Sequence, residues 1–565
     1  MMNSLMYSPR EKDHAVEEWV EVFLKLTIKG TVYNVWGSNV KNIQLHMTPW
    51  GLNGQLDFWM NDDQSHGGHE IDTLHTAFLL PDLVELELKL RPVRPQREDP
   101  KDAADPLIIK AVVSDKSFFE QAMVRGEKAY ILSRRYSLRF HDPAALFWGQ
   151  HYPCALYTNK SMKDVFDLHI GSKIKFKYEA ALVSQVMPLI FLGHNPDAVG
   201  SASFYDLLIW YCKKNDIQFV YDYKLNEYSL LDTKKPFDTD IRLDSEDVAR
   251  MQLYLAEVSR VQARVLNSYS EAPTTKATTQ PDDEKPLWSD RLIRTPIADV
   301  ADARFTLEKK RLRLRAPEML IHYKRLPACL LGPGQWHDFT GDLQWEHAGI
   351  ALPKPALTEK MRVRKVDISL VGREESYEER PGGDIAPYMG RMTTVMEAES
   401  SLNLDLPEYI TPHYPRYVEG KVVSTSGADT DETYLIDTDK KTSVDTYKVA
   451  IPLWENQEVF APFNPNRMTG HFYFPAYKHE RVICAFDFNE TWIMGFLDWK
   501  VGNRLPLETQ GNHLLMGKTP DNNTELKYVY ESEKPVFLLK RTNAKDNQMM
   551  LIKEGYLMIQ VKEDK

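Results

Sequence analysis

Seven consecutive residues, Val84-Glu85-Leu86-Glu87-Leu88-Lys89-Leu90, alternate apolar and charged without a break. Only an extended strand puts every apolar side chain of such a segment on one side, with a core there and water opposite. The pattern recurs along the chain. Val20 to Ile28 alternates through its second half and stops at Gly30, and Val32-Tyr33-Asn34-Val35-Trp36 follows after a short turn. Ile108 to Ser114, Tyr130-Ile131-Leu132, Tyr136 to Phe140 and Lys360 to Leu370 read as further strands. The chain is therefore expected to be mainly β.

Helical period appears in two places. Lys160 to Phe166 reads as a short helix, with Ser161 as N-cap and Asp164 three residues on to complete a capping-box pair. Phe204, Leu207, Leu208, Tyr211 and Cys212 form one apolar stripe from Ser203 onward, and Lys213-Lys214 suit the negative end of that helix. Asn215-Asp216 then turns the chain into a hairpin of Ile217 to Tyr221 and Glu227 to Leu231, which makes a compact α+β unit.

The last third is β again. Val418 to Ser424, Tyr447 to Ile451, Phe472 to Pro475, Arg481 to Phe488 and Thr491 to Phe496 are short and closely spaced, as in a small OB-like barrel. Leu526 to Tyr530, Val536 to Leu539, Met549 to Lys553 and Tyr556 to Val561 are too apolar to stand alone, so this sheet needs partners. Polar or Pro-rich stretches at 92–106, 268–285 and 374–383 read as loops and linkers.

With 565 residues, roughly 100–200 per domain gives three to five domains. Expected divisions fall at 1–105, 106–268, 269–390, 391–510 and 511–565. The net charge of −11 argues against general nucleic-acid binding, which needs clustered positive charge. The one basic block, Lys309-Lys310-Arg311-Leu312-Arg313-Leu314-Arg315, reads as a solvated strand face. Cys154, Cys212, Cys329 and Cys484 lie far apart, with no CxxC spacing for zinc or redox work. Met1 to Lys12 is polar, without the apolar run of a secretory signal, and no stretch has the roughly 18 apolar residues of a membrane span. The expectation is cytoplasmic assembly, followed by export through a machine.

His66-Gly67-Gly68-His69-Glu70, with His75 nearby, is the one metal-like cluster. The Gly-Gly between the histidines favours a loop over a helical zinc motif. The acidic segment Ser426 to Ser443 is dense in oxygen donors but lacks the spacing and glycine of a calcium loop. No nucleophile elbow, P-loop or dinucleotide fingerprint occurs, so no catalytic, cofactor or metal residue is nominated and a non-enzyme is expected. The alternatives are a multi-domain carbohydrate-binding protein, using Trp454, Trp492 and Trp499 as platforms, or a peptidoglycan hydrolase.

Phe472 to Pro475, Glu480 to Phe486, Thr491 to Phe496 and Asn503-Arg504-Leu505-Pro506 together resemble the OB-fold block of VgrG proteins and phage spikes. Tyr477 to His479 occupies the place where glycine is usual there, and Thr491-Trp492 stands where a proline-led strand begins. Asn523-Thr524-Glu525-Leu526 resembles the entry to the VgrG stem. Arg135 to Phe140, the helix near Met162 and Phe204 to Leu231 resemble its hub, so the likeness spans residues 15 to 560. It implies tandem barrel-like hub domains, an OB-fold and a short β-stem intertwined in a homotrimer. It further implies a hexameric, Hcp-like tube protein, a PAAR-like tip, baseplate proteins and effector cargo as partners, and a membrane pierced mechanically. A type VI secretion system, a phage tail or an extracellular injection particle would each use such a part. The short stretch after the OB block leaves no room for an appended lysozyme or toxin domain.

Overall fold

The structure, a computed structural model, describes residues 16–63, 72–93, 105–125, 129–196, 201–234, 247–254, 261–278, 287–312, 317–338, 346–347, 350–351, 360–372, 383–428, 435–440, 442, 444–462, 476–497, 512–519 and 521–563. The alternation that opens the sequence is borne out. The Val84–Val93 strand buries every second residue, and Val84, Leu86, Leu88 and Leu90 enter the main core. At about 1.5–3 kcal/mol for each fully buried aliphatic side chain, this repeated half-burial drives the sheet together.

Eight strands form a ring. Val16–Ile28 pairs with Val84–Val93 in the register Leu24↔Leu88. Val84–Val93 pairs in turn with Leu107–Arg125, then come Ala129–His141, Gly51–Asp63 and Val40–Thr48. Val40–Thr48 meets Lys360–Gly372, which pairs with Ile385–Ala398. The circle closes where Ile385–Ala398 returns to the first strand, with Gly390 opposite Val16. All the contacts are antiparallel, so no edge is left within the ring. The expected divisions at 105/106 and 390/391 fall inside this hydrogen-bonded circle, since Leu88 pairs with Ile109 and residue 390 lies within a strand.

One strand edge is shared. Residues 385–390 of the last ring strand face Val16–Ile28, and residues 393–397 on the same edge face Glu318–Tyr323. The handover is at Gly390, where a Cβ would come within 3.1 Å of the Leu326 side chain. Tyr388 locks the junction, because its hydroxyl donates to the carbonyls of Gly37 and Val40 at 2.9 Å each.

Two capping boxes start the helices of the α+β unit, as the sequence predicts. In Met162–His169 and Phe204–Asn215, the serine at the cap accepts from the backbone N–H of the third helical residue, and that residue's carboxylate accepts from the cap N–H. The Gln218–Asp222 and Glu227–Leu231 hairpin follows, joined in parallel by Phe176–Tyr178. Trp148, Phe166, Phe176, Phe219 and Tyr228 stack in series between the helices and this sheet.

Two expectations are corrected. Tyr130-Ile131-Leu132 and Tyr136 to Phe140 belong to one strand, Ala129–His141. Of the polar residues between them, Ser133 and Arg134 are buried and paired: Arg134 meets Asp72 at 3.1 Å and Glu120 at 2.7 Å, and Ser133 donates to Asn61 at 2.8 Å. The basic block is not a strand face: Lys309, Lys310 and Arg311 form the last turn of the Ala298–Arg311 helix, where cations suit the negative end of the helix dipole. The remaining residues of the block, 313–315, lie outside the described residues. The 268–285 linker also contains a strand, Thr274–Ala277, paired antiparallel to Val261–Asn267.

Buried ion pairs tie the ring to the segment that follows it. Arg364 donates to Glu318 at 2.7 Å and to both carboxylate oxygens of Asp405. Arg362 and Lys234 both reach Glu397 Oε1 at 2.8 Å. Arg364→Ala would leave two buried carboxylates without their cation. It is expected to lower stability by about 3–5 kcal/mol, read as a shift of the urea midpoint for the hub. An unchanged midpoint would show that water replaces the guanidinium there.

Candidate assembly interface

Residues 512–562 form a five-stranded antiparallel meander. Its turns are two residues long. Glu531 pairs with Lys534 across Ser532-Glu533, both with positive φ, and Lys553 pairs with Tyr556 across Glu554-Gly555, where Gly555 has φ 84°. The first of these, with positive φ at both central residues, is the kind that follows the natural twist of a hairpin.

Register decides which side chains share a face. Leu526↔Leu539↔Met550↔Ile559 and Tyr528↔Phe537↔Ile552↔Leu557 run straight across the strands. Directly opposed residues lie on one face, so these rows make a continuous apolar surface. Nothing in the described chain covers it: Leu557, Ile559 and Val561 are 60 %, 69 % and 63 % exposed. Val536 is the one apolar strand residue of this sheet that is fully buried among the described residues. A meander exposed in this way has lost the second layer that a stable β domain requires.

The stem-like sheet follows an OB-like barrel. Arg416–Val422 sits between Asp445–Ile451 and Arg481–Phe486, and Arg481–Phe486 pairs with Thr491–Phe496. Gln457–Pro462 joins the far edge of Asp445–Ile451. Val422, Tyr447, Val449, Val482, Cys484 and Phe486 fill the interior. Phe191 of the α+β unit enters the same core. Its ring lies 4.9 Å from Phe486 and its N–H donates to the Phe488 carbonyl at 2.7 Å. The Tyr414 hydroxyl and the Arg416 guanidinium donate back to the carbonyls of Phe191 and Gly193. Hub and barrel are thus joined by packing, not by a linker alone.

The residues singled out from sequence are mostly apart from this surface. His66, His69 and Glu70 lie outside the described residues; His75 begins the single-turn His75–Phe78 helix, whose start is capped by Asp72. No group of three His, Cys, Asp or Glu side chains is arranged to hold a metal ion among the described residues. Within the acidic segment, Asp437-Thr438 forms a short bridge to Asp445 and Thr446, and Asp439 accepts from the Thr442 N–H at 2.9 Å. Trp454 packs edge-on against Phe191, so that ring serves packing, and the Trp492 indole donates to the Met494 sulfur at 3.0 Å. Trp499 lies outside the described residues. The four cysteines are free thiols, and burial pushes Cys484 up to about 12.

Sequence reading missed a histidine cluster at the root of the α+β unit. His169 Nδ1 meets His151 Nε2 at 2.8 Å, and its Nε2 meets the Tyr157 hydroxyl at 2.8 Å. His194 Nδ1 donates to the Ala202 carbonyl at 2.7 Å. Residues 151, 157, 169 and 194 are too scattered in the chain for any spacing rule to connect them.

No known family's sequence profile matches the chain, and no curated protein sequence matches it. Solved structures do match. A chain of the lidless PdpA-VgrG complex aligns with a TM-score of 0.68 at 13 % identity, over 97 % of this chain and 99 % of that one. The lidded Francisella PdpA-VgrG complex gives 0.67 at 14 % identity, over 98 % and 81 %. The fold is VgrG-like. The alignment runs over nearly the whole chain, so the shared fold takes in the ring, the barrel and the terminal meander together. At such low identity the likeness is one of backbone path, which explains why sequence comparison is silent.

The histidine cluster gives the hub a testable pH response. Burial first, then the neighbouring His151 and His194, push His169 down to about 4 from its ordinary 6.5. The folded state therefore holds this ring neutral where the unfolded chain would protonate it. Its contribution is complete above pH 6.5 and is lost as pH falls from 6.5 towards 4. His169→Gln is expected to flatten the fall of the urea midpoint across that window, and equal slopes in parent and variant would refute the assignment.

Proposed function

We propose that three copies of this chain form the hub and spike of a contractile injection apparatus of the type VI kind. The observation that carries this reading is the terminal meander with its bare apolar face. Three such sheets packed face to face would supply one another's missing layer and cover the edge strand, as closed cyclic assemblies do. The proposed division of labour follows the order of parts. The ring and α+β unit meet a hexameric, Hcp-like tube and the baseplate, the OB-like barrel connects, and the meander tapers to a PAAR-like tip. Effectors ride on this complex and the target membrane is pierced by force, without a catalytic step. Assembly is cytoplasmic and delivery is by the machine itself. A phage tail or an extracellular particle would use the same subunit in the same way. The carbohydrate-binding alternative has less support, because the Trp454 ring is spent on internal packing.

Light scattering of the full chain is expected to give about three times the 65.4 kDa of one copy. Leu557→Asp combined with Ile559→Asp buries two carboxylates in the proposed interface and is expected to yield monomers with an unchanged hub, monitored by circular dichroism. A parent chain that stays monomeric at micromolar concentration overturns the trimer.

A further inference from the structure

A second feature of the hub has no part in the spike reading. The C-terminal turn of the Phe204–Asn215 helix, the Leu287–Ile293 strand, the Ala298–Arg311 helix and the irregular stretch from 403 to 409 line an open cavity of about 770 Å³. Six cations line it: Lys213, Lys214, Arg291, Arg304, Lys310 and Arg311. Among the described residues two carboxylates are in ion-pair contact with them, and Asp487 and Glu490 act on Lys214 from further off. Glu308 Oε1 is shared by Arg304 at 2.5 Å, Arg311 at 3.0 Å and Arg291 at 3.6 Å, and Asp216 meets Lys310 at 2.9 Å. Some of the excess is used in capping, since Arg311 donates to the terminal carbonyls of Lys213 and Lys214 and Lys310 to those of Asp216 and Asp232. Lys213 and Lys214 are left facing aromatic rings, 5.2 Å from Tyr409 and 4.8 Å from Trp210. Arg304 Nε is buried without a hydrogen-bond partner. In a chain with a net charge of −11, this concentration of like charge is costly unless an anion shares the cavity.

The lining selects among anions. The cavity is far larger than a phosphate ion needs, and Leu404, Leu406 and Pro407 give it an apolar wall beside the two rings. Its cations are spread over two helices and a strand, and do not converge on one point. Those already partnered engage carboxylates at ordinary distances. We propose that this cavity binds an acidic peptide segment of a partner protein, with two or more Asp or Glu side chains on the cations and an aromatic or aliphatic side chain between Trp210 and Tyr409. The site is independent of the oligomeric state, so it stands or falls apart from the trimer.

The test uses the full chain and a fluorescent octapeptide that alternates Asp or Glu with Leu and Phe, followed by anisotropy. Saturable binding that weakens with salt is expected, together with at least a tenfold loss in Lys213→Gln and in Arg304→Gln. Lys213 is exposed, and its substitution leaves the helix caps intact. An Asn/Gln version of the peptide is expected not to bind. Equal affinity in parent and both variants overturns the site, as does absence of binding in the parent. Displacement of the peptide by pyrophosphate or ATP at lower concentration than by unlabelled peptide overturns the ligand class in favour of a phosphate site.

Discussion

The pairing of Ile385–Ala398 with Val16–Ile28 is the contact on which the rest of the hub depends. Without it the eight-stranded circle is an open sheet, with residues 16–21 and 385–390 left unpaired on its two edges. With it, the interior rows of Val20, Val22, Leu24, Leu88, Ile109 and Leu370 face one another around a single core. The same strand then hands its edge to Glu318–Tyr323, which carries Val248–Tyr254. One strand therefore closes the ring and anchors the outer layer.

Charge does the joining where apolar packing ends. Arg362, Arg364 and Lys234 bring together residues more than 30 positions apart in the chain, and each has its carboxylate partner within hydrogen-bonding reach. Such buried pairs add little net stability, because desolvation offsets attraction. Their effect is geometric: they fix the path of the 401–415 segment as it leaves the ring for the barrel. Phe191 and Tyr414 complete the joint from the other side, inserting rings where a free linker would have allowed motion.

Much of this was legible in the sequence, and the limits are physical. Period-two alternation marked the strands, and Ser-x-x-Asp marked both capping boxes, because those signals are local. Partner choice is not local, so nothing in Val16–Ile28 announced a strand more than 350 residues away. Charged residues misled in both directions. Paired Arg134 made one strand look like two, and the Lys309–Arg311 turn looked strand-like although it caps a helix. The terminal strands were the most telling case, because their apolar residues outnumber what one sheet can bury, and the sheet does leave Leu557, Ile559 and Val561 exposed. The basic cavity draws its cations from three separate segments, and only the fold brings them together.

Ring closure also sets a timetable for synthesis. The first strand leaves the ribosome long before its last partner, residues 385–398, exists. At about 5–20 residues per second the wait is roughly twenty to seventy seconds. Throughout it, residues 16–21 on one edge of Val16–Ile28 and the apolar face behind them are open to other chains, while Thr31–Val35 already covers residues 24–28 of that edge. Growing chains on neighbouring ribosomes carry the same strand, and an antiparallel pair between two copies would satisfy those hydrogen bonds prematurely. Production of this subunit is thus a race between elongation and mispairing, in which slower translation or crowded polysomes favour the aggregate and a chaperone that shields the first strand favours the ring.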